Sequence, residues 1–314
     1  AAAAAVVPEM PPSLPSASTA SRGGGATEDW TRGHSRVFVL EGGAGVGKSA
    51  IAAQLVTADR FKGRVAAYHF IRHDQQLKRD PKRMLCSIAY QLAGFAPAYA
   101  ARLEEAMAAQ QYIVSALDTP TLFDVLFEQP LDGVASPDGR SCCIVIDALD
   151  ECATADDARN HMLAVIKSKF LTLPPWLRLL VTTRPETDIR QQLVKFRPRV
   201  LAAVDERNFG DVEIFLREKL PPLLADPEDA TLLEQVVRVV SERSEGLFLY
   251  LHYAIQLGRF NPQAAASEGG DRWRSAEDAR RDFPDGLDEV YEEQFGRVMG
   301  AVGEDDDVCL RFLA

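Results

Sequence analysis

The stretch that decides the fold is Gly42-Gly43-Ala44-Gly45-Val46-Gly47-Lys48-Ser49, which fills every fixed position of the pattern G-x-x-x-x-G-K-[ST]. Glycines allow successive backbone N–H groups to turn inward and approach a polyphosphate without obstruction by side chains. A lysine at the end of such a loop reaches the β- and γ-phosphates, and the next hydroxyl ligates Mg²⁺. The stretch therefore predicts a phosphate-binding loop.

The residues on either side of the loop support this prediction. Val37–Leu40 is an apolar run typical of a buried parallel strand. After the loop, apolar residues recur at helical spacing, so the positive end of a helix dipole faces the phosphates. We expect nucleotide contacts from Gly42, Gly43, Ala44, Gly45, Val46, Gly47, Lys48, Ser49 and Ala50.

Composition restricts the partners. The 314 residues carry a formal net charge of −11, which disfavours binding to nucleic acid and to anionic membranes. The longest apolar run, Leu247–Leu257, is too short to span a bilayer. Five cysteines without a C-x-x-C pair predict reduced thiols, with the adjacent Cys142 and Cys143 on opposite faces of a strand. We expect a cytoplasmic protein without membrane or nucleic-acid partners.

Strands and helices alternate along the first two-thirds of the chain. Predicted strands are Val37–Leu40, Val65–Phe70, Cys142–Asp147, Leu177–Thr182 and Val200–Val204; predicted helices are Lys48–Ala58, Pro81–Ala93, Asp156–Lys169 and Glu186–Val194. Residues 98–138 are expected to be mostly helical. This alternation predicts the α/β class: a P-loop NTPase parallel sheet with flanking helices, followed by an all-α helical domain.

Composition also suggests domain boundaries. Residues 1–33, rich in Ala, Pro, Ser and Gly, are predicted to be a disordered linker. Residues 34–204 form the predicted nucleotide-binding domain, and four amphipathic segments predict a helical lid domain over 205–300. These segments are Val212–Leu220, Leu232–Val240, Leu247–Leu257 and Leu287–Val298. The first residue is not Met and the last residues are apolar, which suggests a piece of a longer polypeptide.

Two further strands are predicted to end at the same edge of the sheet as the loop. The apolar run before Asp147 has the form of an Mg²⁺-holding strand, so Ser49 and Asp147 are the predicted metal ligands. Asp150 or Glu151 is then placed to orient or deprotonate an attacking water. Arg184, after the next strand, is placed to sense the γ-phosphate with its forked donors.

At this point the chain resembles the NACHT NTPases, a branch of the signal-transduction ATPases with numerous domains (STAND) related to NLR immune receptors. The stretches that carry the resemblance are Phe38–Ser49 (Walker A), Ile144–Cys152 (Walker B), Leu180–Glu186, Gly246–Tyr250 and Gly286–Tyr291. The resemblance is nearest to the NACHT modules of large WD40-, ankyrin- or TPR-repeat proteins. It implies that residues 301–314 begin a truncated winged helix. One departure is Phe248, where relatives often carry a proline near the adenine.

The resemblance implies a switch for signalling. Bound ADP keeps such proteins closed, exchange for ATP opens them for homo-oligomerisation, and slow Mg²⁺-dependent hydrolysis resets them. Flanking effector and repeat domains of a longer chain are the implied partners.

Other nucleotide-binding classes fit less well. A GTPase would carry N-K-x-D and an ABC-type ATPase L-S-G-G-Q, and neither occurs in this sequence. A small-molecule kinase fits the acidic block Asp147–Glu151 poorly, and a helicase is disfavoured by charge. One rival stays open, a nucleotide-binding interaction scaffold that is catalytically silent, because the same loop serves binding alone.

Overall fold

A computed structural model describes residues 36–109, 116–153, 158–254 and 273–291. The predictions of a linker over 1–33 and of a winged helix over 301–314 lie outside the described residues. No helix within the described ranges is long and apolar enough to cross a membrane.

Five parallel strands form the sheet: β1 (Val37–Gly42), β2 (Val65–Phe70), β3 (Cys142–Asp147), β4 (Leu177–Thr183) and β5 (Arg199–Leu201). Their spatial order is β2-β3-β4-β1-β5. The predicted α/β class is confirmed. The predicted last strand, Val200–Val204, is wrong at both ends. β5 pairs with β1 over Leu40–Gly42 and stops at Leu201, because its neighbour leaves the sheet after Gly42.

Helices connect the strands. The helices of this part of the chain are α1 (Lys48–Thr57), α2 (Gln76–Arg79), α3 (Pro81–Phe95), α4 (Pro97–Ala109), α5 (Thr119–Phe123), α6 (Gln129–Leu131), α7 (Ala158–Lys167) and α8 (Thr187–Leu193). α7 ends two residues before the predicted Lys169, where a 3-10 turn (Lys169–Thr172) begins. The start predicted for it, Asp156, lies outside the described residues. The stretch predicted as mostly helical also holds a π-helical turn, Asp124–Glu128.

Alternating strand residues divide the apolar core between the two faces of the sheet. Ile144 and Ile146 of β3 join the larger cluster, which α3, α5 and α7 cover. Val145 joins the smaller cluster around Ala52 of α1. Cys142 and Cys143 lie in these two different clusters, as their adjacency in a strand predicted. The sheet is thus covered on both faces, as parallel sheets require.

Contacts divide the described residues into two compact units, the first drawn from 36–43 and 48–201 and the second from 44–47, 202–254 and 273–291. The second unit contains α9 (Glu206–Lys219), α10 (Ala230–Ser244), α11 (Phe248–His252) and α12 (Ala276–Asp282), and residues 286–291 are also helical. α12 was not predicted from the sequence, and its first turn is held by a capping box of Ser275 and Asp278. The third predicted helix begins at Phe248 rather than Leu247, and beyond 254 it leaves the described residues.

The second unit has its own apolar core, built from the inward faces of α9 and α10. Its backbone turns sharply after α10, where Glu245 and Gly246 both have positive φ. A Cβ on Gly246 would lie 2.1 Å from the carbonyl oxygen of Ala203, so no side chain fits at this position. Asn208 donates hydrogen bonds from Nδ2 to the carbonyl oxygens of Ala203 and Gly246 and so joins the two stretches.

Candidate functional site

The candidate site lies at the carboxyl edge of the sheet, where three neighbouring strands end. β1 runs directly into the loop Gly42–Ser49, β3 ends at Asp147, and β4 ends one residue before Arg184. β4 pairs with β1 on one side and with β3 on the other. The predicted phosphate loop and the predicted metal carboxylate are therefore separated by the end of β4.

The loop has the backbone conformation that its glycines permit. Gly45 and Gly47 have φ values of 75° and 98°, which L side chains rarely adopt. Loop residues Ala44–Gly47 belong by contacts to the second unit, in which the N–H of Leu249 donates to the carbonyl oxygen of Gly45 at 3.2 Å. The loop continues through Lys48 and Ser49 into the first turn of α1, which includes Ala50.

Lys48 is the cation of the loop. Its Nζ donates to the carbonyl oxygens of Gly42 and Gly43 at 2.8 and 2.7 Å. Burial lowers the pKa of Lys48 from its ordinary value; the charge of Asp150 opposes this shift, and the charge of Arg184 adds to it. The lysine therefore lies within the field of the acidic turn that follows β3.

Asp147 is buried, with only 3% of its surface exposed. Its Oδ1 accepts a hydrogen bond from Thr182 Oγ1 at 2.5 Å, and the side chain of Ser49 lies close enough to help lower the pKa of the same carboxylate. Burial raises the pKa of Asp147, whereas the hydrogen bonds from Thr182 and Ser49 and the charge of Lys48 lower it. The two predicted metal ligands thus lie together, and a carboxylate beside a hydroxyl is a donor pair that fits Mg²⁺.

The carboxylate of Asp150 binds Arg184 through both of its oxygens. Its Oδ1 accepts from the main-chain N–H of Arg184 at 2.9 Å, and its Oδ2 lies 3.2 Å from Arg184 Nε. The Asp150 side chain is 5% exposed, and that of Arg184 is 51% exposed. This geometry leaves Asp150 suited to holding Arg184, with the guanidinium facing outward.

Glu151 lies beside the loop that follows β2. Its Oε2 accepts from the main-chain N–H of His73 at 2.7 Å and lies 3.5 Å from His73 Nδ1. Its Oε1 lies 4.0 Å from Arg184 Nη2. Of the two acids after Asp147, Glu151 has the more accessible carboxylate, with 21% of its side chain exposed.

Arg159 of α7 joins the two loops that carry these groups. Its Nη1 donates to the carbonyl oxygen of Asp150 at 2.8 Å and to Glu186 Oε2 at 2.6 Å. Its Nε lies 3.3 Å from Asp188 Oδ2. Because only 16% of this side chain is exposed, its ion pairs are less screened than surface pairs. Arg159 therefore fixes the acidic turn relative to the segment after Arg184.

The structure brings together Lys48, Ser49, Asp147, Asp150, Glu151 and Arg184 at one edge. Thr182, His73 and Arg159 are among the residues that contact them and were not predicted from the sequence. A polar residue near the end of an apolar strand was the available signal for Thr182. No local pattern marks His73 or Arg159: His73 lies 78 residues before Glu151, and Arg159 of α7 pairs with Glu186, 27 residues after it.

The family of this chain is identified by its match to a protein-family model. The model described as nephrocystin 3, N-terminal, matches residues 24–184, just over half of the chain. The chain belongs to this family. All of the predicted site residues, from Gly42 to Arg184, lie within the matched range, so the nephrocystin 3 N-terminal region of this chain holds the whole candidate site.

The chain is also similar to several solved structures, all at low sequence identity. A Walker-type ATPase of Pyrococcus abyssi is 12% identical in sequence, with a TM-score of 0.47. The match covers 88% of this chain and 72% of the ATPase chain. The ADP form of the Aeropyrum pernix ORC2 protein is 12% identical, with a TM-score of 0.42, and the match covers 82% of this chain and 64% of the ORC2 chain. PCH-2 of C. elegans is 13% identical, with a TM-score of 0.42, and the match covers 82% of this chain and 62% of the PCH-2 chain.

The chain spans less than two-thirds of the ORC2 and PCH-2 chains. No curated protein matches the sequence. The chain has a P-loop NTPase-like fold, as the parallel sheet, its strand order and the glycine loop between β1 and α1 show.

Proposed function

We propose that this chain is an ATP- and ADP-binding switch module of the NACHT type, which hydrolyses ATP slowly with Mg²⁺ and self-associates in its ATP-bound form. The observation that carries the proposal is the meeting of the glycine loop, Lys48, Ser49 and the buried carboxylate of Asp147 at one sheet edge. A polyphosphate with its metal is the ligand whose charges match this arrangement.

Each side chain has a role in this proposal. Lys48 binds the β- and γ-phosphates, which replace the carbonyl oxygens that it now contacts. Ser49 and Asp147 would hold Mg²⁺, which neutralises phosphate charge when bound. Glu151 orients or deprotonates the attacking water, and Arg184, held by Asp150, contacts the γ-phosphate.

A switch needs the two nucleotides to differ in their affinity for its two states. Reversing a population from 1:99 to 99:1 requires about 10⁴-fold selectivity, or roughly 5.5 kcal/mol. Arg184 is the described group best placed to supply part of this difference, because its outward guanidinium can contact a γ-phosphate that ADP lacks.

A second candidate is a nucleotide-binding scaffold without turnover. One observation favours it. The carboxylate of Glu151 is already hydrogen-bonded to the main chain of His73, and Asp150 is bound to Arg184, so neither acid is free in this arrangement. Turnover would then require Glu151 to leave His73.

The first experiment identifies the bound nucleotide. The protein is purified and denatured, and any released nucleotide is identified by chromatography. Near-stoichiometric ADP supports the switch and establishes adenine as the base. Guanine nucleotides, or no binding of added Mg·ATP to the purified protein, would contradict the proposal.

The second experiment separates turnover from binding. We expect Lys48→Ala to weaken nucleotide affinity and Glu151→Gln to keep affinity but lose phosphate release by about 10²–10⁴-fold. Lys62→Ala and Glu105→Gln remove the same charges at exposed positions away from the site and serve as controls. Light scattering with ATP and with ADP then measures self-association. Phosphate release at the wild-type rate in Glu151→Gln would exclude Glu151 as the base, and no turnover in wild type would favour the scaffold.

A further inference from the structure

Thr182 is a buried polar residue that none of the roles above uses. It lies in β4 with no exposed surface, and Leu40 of β1 is the residue paired with it in the sheet. Its Oγ1 is 2.5 Å from Asp147 Oδ1 and 2.9 Å from the main-chain nitrogen of Ala148. One hydroxyl therefore contacts both the candidate metal carboxylate and the peptide that follows it.

The direction of each hydrogen bond follows from the donors available. The N–H of Ala148 can only donate, so the oxygen of Thr182 must accept from it. The single hydroxyl proton is then left for the carboxylate of Asp147, which accepts it. The hydroxyl rotor has one orientation that satisfies both partners, and this orientation also determines where Oδ1 of Asp147 lies.

We propose that Thr182 is a positioning residue for the metal-binding carboxylate of Asp147. The proposal rests on the proposed function, because it assigns Asp147 to Mg²⁺. The hydroxyl holds the strand end and the carboxylate in one arrangement before the metal arrives. Groups that hydrogen-bond to metal ligands typically change metal affinity 10–100-fold when they are removed.

The neighbouring threonine provides a matched control. Thr183 is also buried, at 1% exposed, and is the next residue of the same strand. Its hydroxyl donates to the carbonyl oxygen of Arg184 at 3.0 Å. Substituting valine at either position keeps the approximate size of the side chain and removes one hydroxyl; Thr182→Val loses the bonds to Asp147 and Ala148, whereas Thr183→Val loses the bond to Arg184.

The test measures metal binding directly. Mn²⁺ is titrated into the ADP-loaded protein and free Mn²⁺ is followed by electron paramagnetic resonance. We expect Thr182→Val to weaken Mn²⁺ binding about 10–100-fold, Thr182→Ser to restore it to within about threefold, and Thr183→Val to leave it unchanged. ADP affinity in EDTA is the second readout, and we expect it to be the same in all four proteins.

The outcomes separate the two proposals. Wild-type Mn²⁺ affinity in a folded Thr182→Val protein would overturn the positioning role and leave the proposed function standing. Absence of ADP-dependent Mn²⁺ binding in wild type would overturn both. If Thr182→Val does not fold, Thr182→Ala takes its place. An equal loss in Thr183→Val, or a loss of ADP affinity in EDTA, would point to general damage of the strand and also overturn the role.

Discussion

At the scale of the residue, Ala148 shows how the site depends on an unusual backbone conformation. Its φ and ψ are 57° and 53°, in the left-handed region, directly after the buried carboxylate of Asp147. A non-glycine residue there costs about 1–2 kcal/mol relative to the right-handed region. The conformation turns the chain from β3 into the tight turn Leu149–Glu151 and so places Asp150 against Arg184.

The strain at Ala148 leads to a stability prediction. We expect Ala148→Gly to raise the free energy of unfolding by up to about 1 kcal/mol, because relief of strain exceeds the entropy that glycine adds to the unfolded chain. Ala148→Val should lower it by about 1–3 kcal/mol. Urea unfolding without nucleotide measures both. Ala53→Gly, within α1, is the control and should cost about 0.5–1 kcal/mol. A loss of the same size in Ala148→Gly would show that no strain is stored there.

At the scale of the element, the outer strand β2 is protected by side chains. Gln91 of α3 accepts from the N–H of Tyr68 through Oε1 and donates through Nε2 to the carbonyl oxygen of the same residue. The amide thus takes the place of a neighbouring strand at this residue, and an edge occupied in this way is less open to pairing with another chain. His69, the next residue, contacts the carbonyl oxygen of Lys78 through Nε2 at 3.0 Å.

His69 should make the stability of the fold depend on pH. Burial lowers the pKa of His69 from its ordinary value of about 6.5, so the unfolded chain takes up the proton first as the pH falls. The free energy of unfolding is therefore expected to fall as the pH drops below about 6.5. Melting temperatures between pH 7.5 and 5.5 measure the effect. His69→Gln should reduce this slope, whereas His161→Gln, at an exposed position, should not. Equal slopes in all three proteins would contradict the assignment.

At the scale of the whole molecule, ligand binding and stability are linked. A ligand that binds the folded chain alone adds free energy of unfolding that grows with its concentration relative to Kd. The site draws on β1, β3, β4, α1 and α7, so binding there acts on most of the sheet-bearing unit. This link provides a test that does not depend on turnover.

Thermal unfolding with nucleotide is the corresponding measurement. Mg·ADP at 100 times its Kd should stabilise the sheet-bearing unit by about 2.7 kcal/mol. Lys48→Ala should lose this effect at the same concentration. Asp147→Asn should respond equally to ADP with Mg²⁺ and to ADP with EDTA, because it lacks the metal carboxylate. A Mg²⁺-dependent shift of wild-type size in Asp147→Asn would exclude Asp147 as the ligand.

Local patterns in the chain were enough to predict the glycine loop between a strand and a helix, the alternation of the α/β sheet, and Asp147, Glu151 and Arg184 as residues of one edge. These features follow from local patterns, namely apolar runs, helical spacing and a fixed motif. The boundaries were less certain. β5 ends where β1 leaves the sheet, and that limit is set by its neighbour, not by its own residues.

The strand order and the contacts across the sheet could be read only from the folded chain. Because β4 lies between β1 and β3, the hydroxyl of Thr182 meets Asp147. In the folded chain, His73 of the loop after β2 contacts Glu151, and Arg159 of α7 contacts the turn at Asp150. Each of these pairs joins residues from separate elements, and their polar side chains have no local period that would mark them. The chemistry of the site could be predicted from the chain, but the groups that hold it in place depend on which distant segments become neighbours.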